Sequence, residues 1–295
     1  MNDRPPIILL KGGTGKQIAL SSVLSLFFQS HLDGKLIVDR PEIFLHHFNE
    51  EINVEVISSR SNNLFDIIRE HNLLVLDPYL NYKVYREHKS IVSVSSYLLN
   101  GKEEYIKPKI FLSEEEISWG YDYIKQYTSD FSSCILFLPY GNSYDYASHS
   151  DPSFRSLTKG FAEKCVEIVK KDFCCFILRK DWNTNLFGGI DVKFFDFRKL
   201  ASITFHIDKI VTCDTVMNHL APALDKTALV LFSSTSESIF GHPSNINIRE
   251  QESGDFIPSP FFHLFTSNKV DLKDIKPSKN TFSSITLDKI KNYIY

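Results

Sequence analysis

No apolar run among the 295 residues approaches the roughly 18 that a membrane-spanning helix needs, so no integral membrane association is expected. Ile18 to Phe28 has the length of a signal-peptide core behind Lys11 and Lys16. However, no small-residue cleavage site follows it and a glycine-rich loop precedes it, so it reads as a buried helix. Cysteine is sparse: Cys134, Cys165, Cys174, Cys175 and Cys213 are an odd, scattered set without metal-binding spacing. That excludes a disulfide framework and suits reduced, buried thiols in a cytoplasmic protein. Charge of one sign is also lacking. With 33 basic and 36 acidic residues the net charge is −3, which gives no bulk reason to expect a polyanionic partner. There is no low-complexity tract, no Gly-x-Ser-x-Gly elbow and no Cys-His nucleophile signature. His46-His47 and Cys174-Cys175 are poor metal ligands, because adjacent side chains point apart on regular elements.

What the chain does have is core material: 43% hydrophobic residues, including 24 Phe and 13 Tyr, in a length that fits two domains of about 150 residues. Ile7–Leu10 reads as a short buried strand, Lys11–Lys16 as a glycine loop, Gln17–His31 as a helix and Lys35–Asp39 as the next strand. A short helix over Arg40–Asn49, a strand over Asn53–Ser58, a helix over Leu64–Glu70 and a strand over Leu73–Leu76 follow. Strands alternating with helices predict parallel βαβ units and an α/β fold. Asn81–Lys109 has no clear pattern beyond the apolar run Ile91–Val94. Ser113 with Glu116 forms a capping box that starts a helix running to about Thr128. The alternation restarts at Cys134–Pro139, so the boundary is placed near Asp130, giving domains 1–130 and 131–295.

The densest feature is Asp214-Thr215-Val216-Met217-Asn218-His219-Leu220-Ala221-Pro222-Ala223. It follows the apolar run Lys209–Cys213 and precedes a second one, Ala228–Phe232. The order is strand, polar tip, helix, strand. The tip gathers a carboxylate, a hydroxyl and the first N–H groups of a helix, a combination that suits a phosphate. His219 sits about one turn inside that helix and can reach the same ligand. An ordinary N-capped helix is the plainer alternative, since Asp and Thr are common caps.

The segment resembles the Asp-Thr-Gly-x-x-His-Leu-x-x-Ala signature of heptosyltransferase-like glycosyltransferases, family nine of that class. The match is carried by Asp214, Thr215, His219, Leu220 and Ala223, with Phe232-Ser233-Ser234-Thr235 resembling the strand and loop that follow. Val216 stands where the family has glycine, where close approach of a phosphate is easiest. The resemblance implies two Rossmann-like domains facing a cleft, the GT-B architecture, with a C-terminal helix returning to the first domain. It implies a nucleotide diphosphate sugar as co-substrate and no metal or other cofactor. No Asp-x-Asp pair of the kind used by metal-dependent glycosyltransferases is present. The implied donor site comprises Tyr140, Arg155, Asp214, Thr215, Val216 and His219. Arg155, in Phe154-Arg155-Ser156-Leu157, takes the place of the family's basic residue and would pair with the diphosphate. Arg179 and Lys180 end another strand near that edge. The implied acceptor is a glycan or the lipopolysaccharide core, with a modified base in phage DNA as another acceptor served by GT-B folds.

The glycine loop Gly12-Gly13-Thr14-Gly15-Lys16 has two readings. With Lys11 it looks like the deviant Walker motif of the MinD and ParA ATPases, except that Gln17 replaces the Ser or Thr that would hold Mg²⁺. In the glycosyltransferase reading it is the acceptor-side loop, where the family carries an acidic general base. Lys16 occupies that position and cannot accept a proton while charged. Asp39 and Glu42 are the nearest substitutes in the fold, so the catalytic candidates are Asp214, His219, Lys16 and Asp39. A non-catalytic nucleotide-sugar-binding protein is the remaining alternative.

Overall fold

The computed structural model describes residues 5–48, 50–69, 72–128, 133–141, 144–145, 151, 155–178, 188–192, 196–249, 282 and 284–295. The chain divides into two compact units, Met1–Phe111 and Leu112–Tyr295.

The first unit runs β1 (Pro6–Leu10), α1 (Thr14–Ala19), α2 (Ser21–His31), β2 (Asp33–Val38), β3 (Asn53–Ser58), α3 (Leu64–Arg69), β4 (Asn72–Val75), α4 (Tyr82–Arg86) and α5 (Ile91–Asn100), with 3-10 turns at Pro41–Phe44 and Pro78–Leu80. Its four strands are all parallel, in the order β3-β2-β1-β4. Ile7, Ile37 and Ile57 stack on one face of the sheet against Leu64, Ile67 and Ile68 of α3. β4 is an edge strand whose residues are all exposed, whereas β1 and β2 at the centre are largely buried. The helix expected over Gln17–His31 begins earlier and breaks at Leu20, where φ −97° and ψ 1° leave helical geometry. The apolar run at Ile91–Val94 is helical. Ser90 caps it by accepting from the Val92 N–H at 3.2 Å, and Gly101 ends it in the left-handed conformation.

The second unit runs α6 (Glu114–Lys125), β5 (Cys134–Leu138), α7 (Lys159–Val169), β6 (Cys174–Leu178), β7 (Ile190–Val192), α8 (Phe197–His206), β8 (Lys209–Cys213), α9 (Val216–Ala223), β9 (Ala228–Phe232), α10 (Glu237–Phe240), β10 (Ile246–Arg249) and α11 (Ser284–Ile294). Its six parallel strands lie in the order β10-β9-β8-β5-β6-β7. β5, β6 and β9 are buried at every position, which is why they read as unbroken apolar runs and not as alternating ones. Each fully buried Leu, Ile, Val or Phe of these strands contributes about 1.5–3 kcal/mol.

The second compact unit begins at Leu112 and includes α6, which packs on α8. Gly120 lies against the Ser202 backbone so closely that a Cβ there would stand 2.3 Å from its oxygen. Arg198 grips Glu116 with two bonds, of 2.6 and 2.5 Å, and His206 Nε2 meets the Ile117 carbonyl at 2.7 Å. The anticipated capping box is present. Ser113 Oγ accepts from the Glu116 N–H at 3.2 Å, and Glu116 Oε2 accepts from the Ser113 N–H at 2.8 Å. A correction concerns the last helix, expected to return to the first domain. α11 instead buries Ile290 and Ile294 in the core of the second unit, and the Tyr293 hydroxyl donates to the Thr227 carbonyl at 2.8 Å. No helix among the described residues is long and apolar enough to cross a membrane.

In both sheets the chain builds outward from one strand and later returns to its other side. The reversal falls between β1 and β4 in the first sheet and between β5 and β8 in the second. Open α/β sheets bind ligands beyond the carboxyl ends of the strands at such switch points.

Candidate active site

Asp214, Thr215 and the start of α9 stand at the carboxyl end of β8, on the switch point of the second sheet. Asp214 is buried and anchored from two sides. Its Oδ1 accepts from Asn218 Nδ2 at 2.9 Å and its Oδ2 from the Thr235 hydroxyl at 2.7 Å. Burial pushes its carboxyl above the usual aspartate range, while the Arg155 charge and the two hydrogen bonds pull the other way. Thr215 does not cap α9. Thr212 donates its hydroxyl proton to the Cys213 carbonyl at 2.7 Å, so the Thr215 hydroxyl, 2.9 Å from it, must donate to Thr212. α9 therefore starts without any side-chain cap, although an aspartate and a threonine stand directly before it. The plainer alternative of an ordinary capped helix does not hold here. The half-exposed amino end keeps its donors and its partial positive charge for another acceptor.

His219 and His242 form a buried pair, Nδ1 to Nε2 at 2.8 Å. Burial and the neighbouring Arg155 charge hold His219 down to about 3, and burial together with His219 holds His242 well below the usual histidine range. Both rings are neutral at physiological pH. Asn245 closes the group from behind, donating from Nδ2 to the Asn218 carbonyl at 2.8 Å while its Oδ1 accepts from the Ala228 N–H at 3.1 Å.

The loop after β5 lies beside this group, because β5 pairs with β8 up to Leu138 and Thr212. Gly141 donates its N–H to Ser156 Oγ at 2.8 Å, and Ser156 donates both its N–H, at 3.0 Å, and its hydroxyl to Asp151 Oδ2. Tyr140 stacks on Tyr144 with centroids 3.9 Å apart. This knot fixes Ser156 and with it Arg155, whose charge bears on Asp214, Cys213 and His219. All five cysteines are buried and free, with thiols pushed up by burial, which makes them inert packing groups.

The glycine loop of the first unit is tied to the ends of β2 and β4. Gly12 takes φ +128°, a conformation that L side chains rarely adopt, and a Cβ there would stand 2.7 Å from Lys16 Cε. Its N–H donates to Asp39 Oδ2 at 2.9 Å, and Ser59 donates to Asp39 Oδ1. Desolvation raises the Asp39 carboxyl, but the Gly12 and Ser59 donors outweigh it and leave the group lowered. Lys16 is buried, 3.3 Å from Asp77 Oδ1 and over the ring of Tyr79. Gln17 is wholly buried; its Nε2 donates to the Gly12 carbonyl at 2.7 Å and its Oε1 accepts from the Arg40 N–H at 3.0 Å. Gln17 thus ties the loop to β2 at the place where an ATPase would hold Mg²⁺.

Neither a protein-family model nor a curated protein matches the sequence. Solved structures do match its architecture. The glycosyl transferase family 9 structure from Veillonella parvula DSM 2008 superposes with a TM-score of 0.68 at 10% identity, covering 99% of this chain and 97% of that one. The chain has the fold of family-nine glycosyltransferases. The iron-containing dodecameric glycosyltransferase TibC from enterotoxigenic E. coli H10407 follows with a TM-score of 0.66 at 10% identity, over 100% of this chain and 79% of that one. E. coli ADP-heptose lps heptosyltransferase II gives 0.59 at 14% identity, over 98% of both. Among the described residues of this family-nine fold, no group of three or more His, Cys, Asp or Glu is placed to hold a metal ion.

Of the residues singled out in the sequence, the structure brings Asp214, Thr215, Val216, His219, Arg155 and Tyr140 to one edge of the second sheet. It places Gly12, Gly13, Thr14, Gly15, Lys16 and Asp39 at the corresponding edge of the first. Glu42 pairs with Arg40 at 3.4 Å on the surface. Phe154, Arg179 and Lys180 lie outside the described residues. Asn218, Thr235, His242, Asn245, Asp151, Ser156 and Asp77 were missed as site residues. Asn218, one helical turn after Asp214, and Thr235, in the quoted Phe232–Thr235 loop, carried a local signal. His242 and Asn245 carried none beyond lying in a turn after a strand.

Proposed function

We propose that the protein is a glycosyltransferase that moves a sugar from a nucleotide diphosphate donor to an acceptor hydroxyl without a metal ion. The observation that carries this reading is the uncapped amino end of α9 on the switch point of the second sheet, flanked by Asp214 and the Arg155 charge. In the reaction negative charge accumulates on the departing diphosphate. Arg155 and the α9 N–H groups supply fixed positive charge there, the role a metal fills elsewhere, and stabilisation of developing charge is often the largest single catalytic contribution. Asp214 keeps Arg155, Asn218 and Thr235 in register. His219, held neutral, serves as a hydrogen-bonding group toward the diphosphate or ribose and not as a cation. The second unit is the donor unit and the first the acceptor unit in this reading.

ADP-heptose is the first donor to try, because it is the ligand held by the TibC heptosyltransferase structure. A sugar hydroxyl of a glycan or of the lipopolysaccharide core is the acceptor class that fits, with a DNA base hydroxyl as the second to test. The experiment is a thermal-shift screen against ADP-, UDP-, GDP- and dTDP-sugars, followed by transfer assays with and without EDTA. A bound donor raises the melting temperature by mass action. Arg155→Gln is expected to weaken that donor on the order of tenfold or more, the worth of a charge-assisted contact. A protein stabilised by no nucleotide sugar, or one whose affinity is untouched by Arg155→Gln, contradicts the proposal.

A further inference from the structure

The acceptor unit needs a group that takes a proton, and the sequence offers lysine at the expected place. The structure puts two carboxylates beside the glycine loop, one on each side of β1. Asp39 follows β2 and Asp77 follows β4; both strands pair with β1 in register. Asp39 has both oxygens committed, one to the Gly12 N–H and one to the Ser59 hydroxyl, so it pins the loop. Asp77 differs. Its Oδ1 accepts from Lys16 Nζ at 3.3 Å and from the Tyr79 N–H at 3.2 Å, while Oδ2 receives no hydrogen bond among the described residues. Its side chain is 16% exposed. It also stands on the switch point of the first sheet, the position at which open α/β sheets present ligand groups.

We infer that Asp77 is the general base on the acceptor hydroxyl, a role that rests on the glycosyl-transfer reading above, and that Lys16 is its positioning residue. The carboxylate stands at the end of the neighbouring strand, and the loop's lysine holds it. The step balances. The acceptor hydroxyl proton passes to Asp77 Oδ2, and the acceptor oxygen forms a bond to the anomeric carbon. The bond from that carbon to the diphosphate oxygen breaks, and its electron pair leaves on the nucleoside diphosphate. Lys16 fixes Oδ1 from below, with Tyr79 closing over its ammonium at 5.0 Å.

Asp77→Asn tests this cleanly, because asparagine keeps the oxygen that accepts from Tyr79 N–H at the start of the 3-10 turn. The measurements are donor affinity by thermal shift, and kcat and kcat/KM against pH from nucleoside diphosphate release, with core lipopolysaccharide or water as acceptor. In Asp77→Asn kcat is expected to fall by about 10²–10⁴, the usual worth of a general base, with donor affinity within about twofold of native and the acidic limb of the pH profile gone. The double variant Lys16→Asp with Asp77→Asn, which returns a carboxylate to the loop, is expected to regain at least about tenfold of the lost rate. A merely structural Asp77 moves stability and leaves the acidic limb in place; that result, or kcat within about threefold of native, overturns the inference. A native protein that binds no nucleotide sugar, or binds one without turnover to any acceptor, overturns the transfer reading and this inference with it. Donor binding and turnover with an insensitive Asp77→Asn overturns the inference alone.

Discussion

The two units place an aspartate and a cation at the same topological position and use them in opposite ways. At the switch point of the first sheet, Lys16 and Asp77 touch, Asp39 is consumed by the loop, and Gln17 bonds Gly12, although α1, like α9, starts without a side-chain cap. At that of the second, Asp214 is held by the neutral donors Asn218 and Thr235, the Arg155 charge lies beside it, and the helix that follows has no cap. The first turn leaves one carboxylate oxygen, Asp77 Oδ2, without a hydrogen bond among the described residues. The second joins a buried carboxylate, the Arg155 charge and a helix start that no side chain caps. A strand-loop-helix motif therefore does not say what it binds. The groups around it do, and they are what supports the proposed division, with the proton-accepting work in one unit and the anion-binding work in the other.

The sharpest way to break this division is Asp214→Asn. It keeps the shape and one acceptor oxygen while removing the charge beside Arg155, so transfer should fall on the order of 10²-fold with donor affinity weakened as well. Asp77→Asn, in contrast, should spare affinity. Asp214→Ala is the blunter probe, because it takes one acceptor from the buried Asn218 amide, which keeps the Phe240 carbonyl, and one from the half-buried Thr235 hydroxyl, at up to about 1–3 kcal/mol of stability for each lost partner. A full rate in Asp214→Asn, read by nucleoside diphosphate release, would remove the second switch point from the chemistry.

Next in size is Gly12→Ala. The positive φ and the contact with Lys16 Cε both oppose a Cβ, so the first unit should lose roughly 2 kcal/mol, with Lys16 displaced from Asp77. Thermal melting reads the loss. If the loop is a positioning device, kcat falls further than donor affinity does. A variant as stable and active as native would mean that the turn relaxes freely and that its geometry fixes nothing.

Much of this was legible because it is local. Strand, polar tip and helix follow one another around Asp214, and Ser113 and Glu116 stand at capping-box spacing, so a short window contains the whole signal. The alternation of buried strands and helices likewise announced two parallel α/β units. What was not legible depends on strand order. Asp77 follows an ordinary-looking Leu76 and precedes Pro78, which reads as a turn; only the pairing of β4 with β1, past β2 and β3, brings it to Lys16. His242 and Asn245 reach α9 from the turn before β10 for the same reason. The amphipathic last helix shows that one face is buried but not against which unit, and the structure decides for the second through Ile290 and Ile294.

The smallest expected effect separates the two switch points by pH. In the first unit, Asp39 is lowered, so the stability it contributes is present above the unfolded value of 3.8 and is lost only below it. In the second, His219 is lowered to about 3 and His242 is lowered as well, both through burial. Below the unfolded histidine value of 6.5 the unfolded chain takes up protons that the folded chain refuses, so stability falls as pH drops from about 6.5 toward 3. Asp214 works against this, since its raised carboxyl favours the folded state as pH falls toward 3.8. His219 alone contributes up to about 2 kcal/mol between pH 6.5 and 5, at 1.36 kcal/mol per unit, less the part that Asp214 returns. Hydrogen exchange at pH 7 and pH 5, corrected for intrinsic rates, should therefore show protection lost in β8 and β9 but not in β1 and β2. The double variant His219→Gln with His242→Gln should flatten that difference. Equal losses in both sheets would show that the acid response belongs to the whole chain, and that the buried histidine pair is not what distinguishes the second switch point.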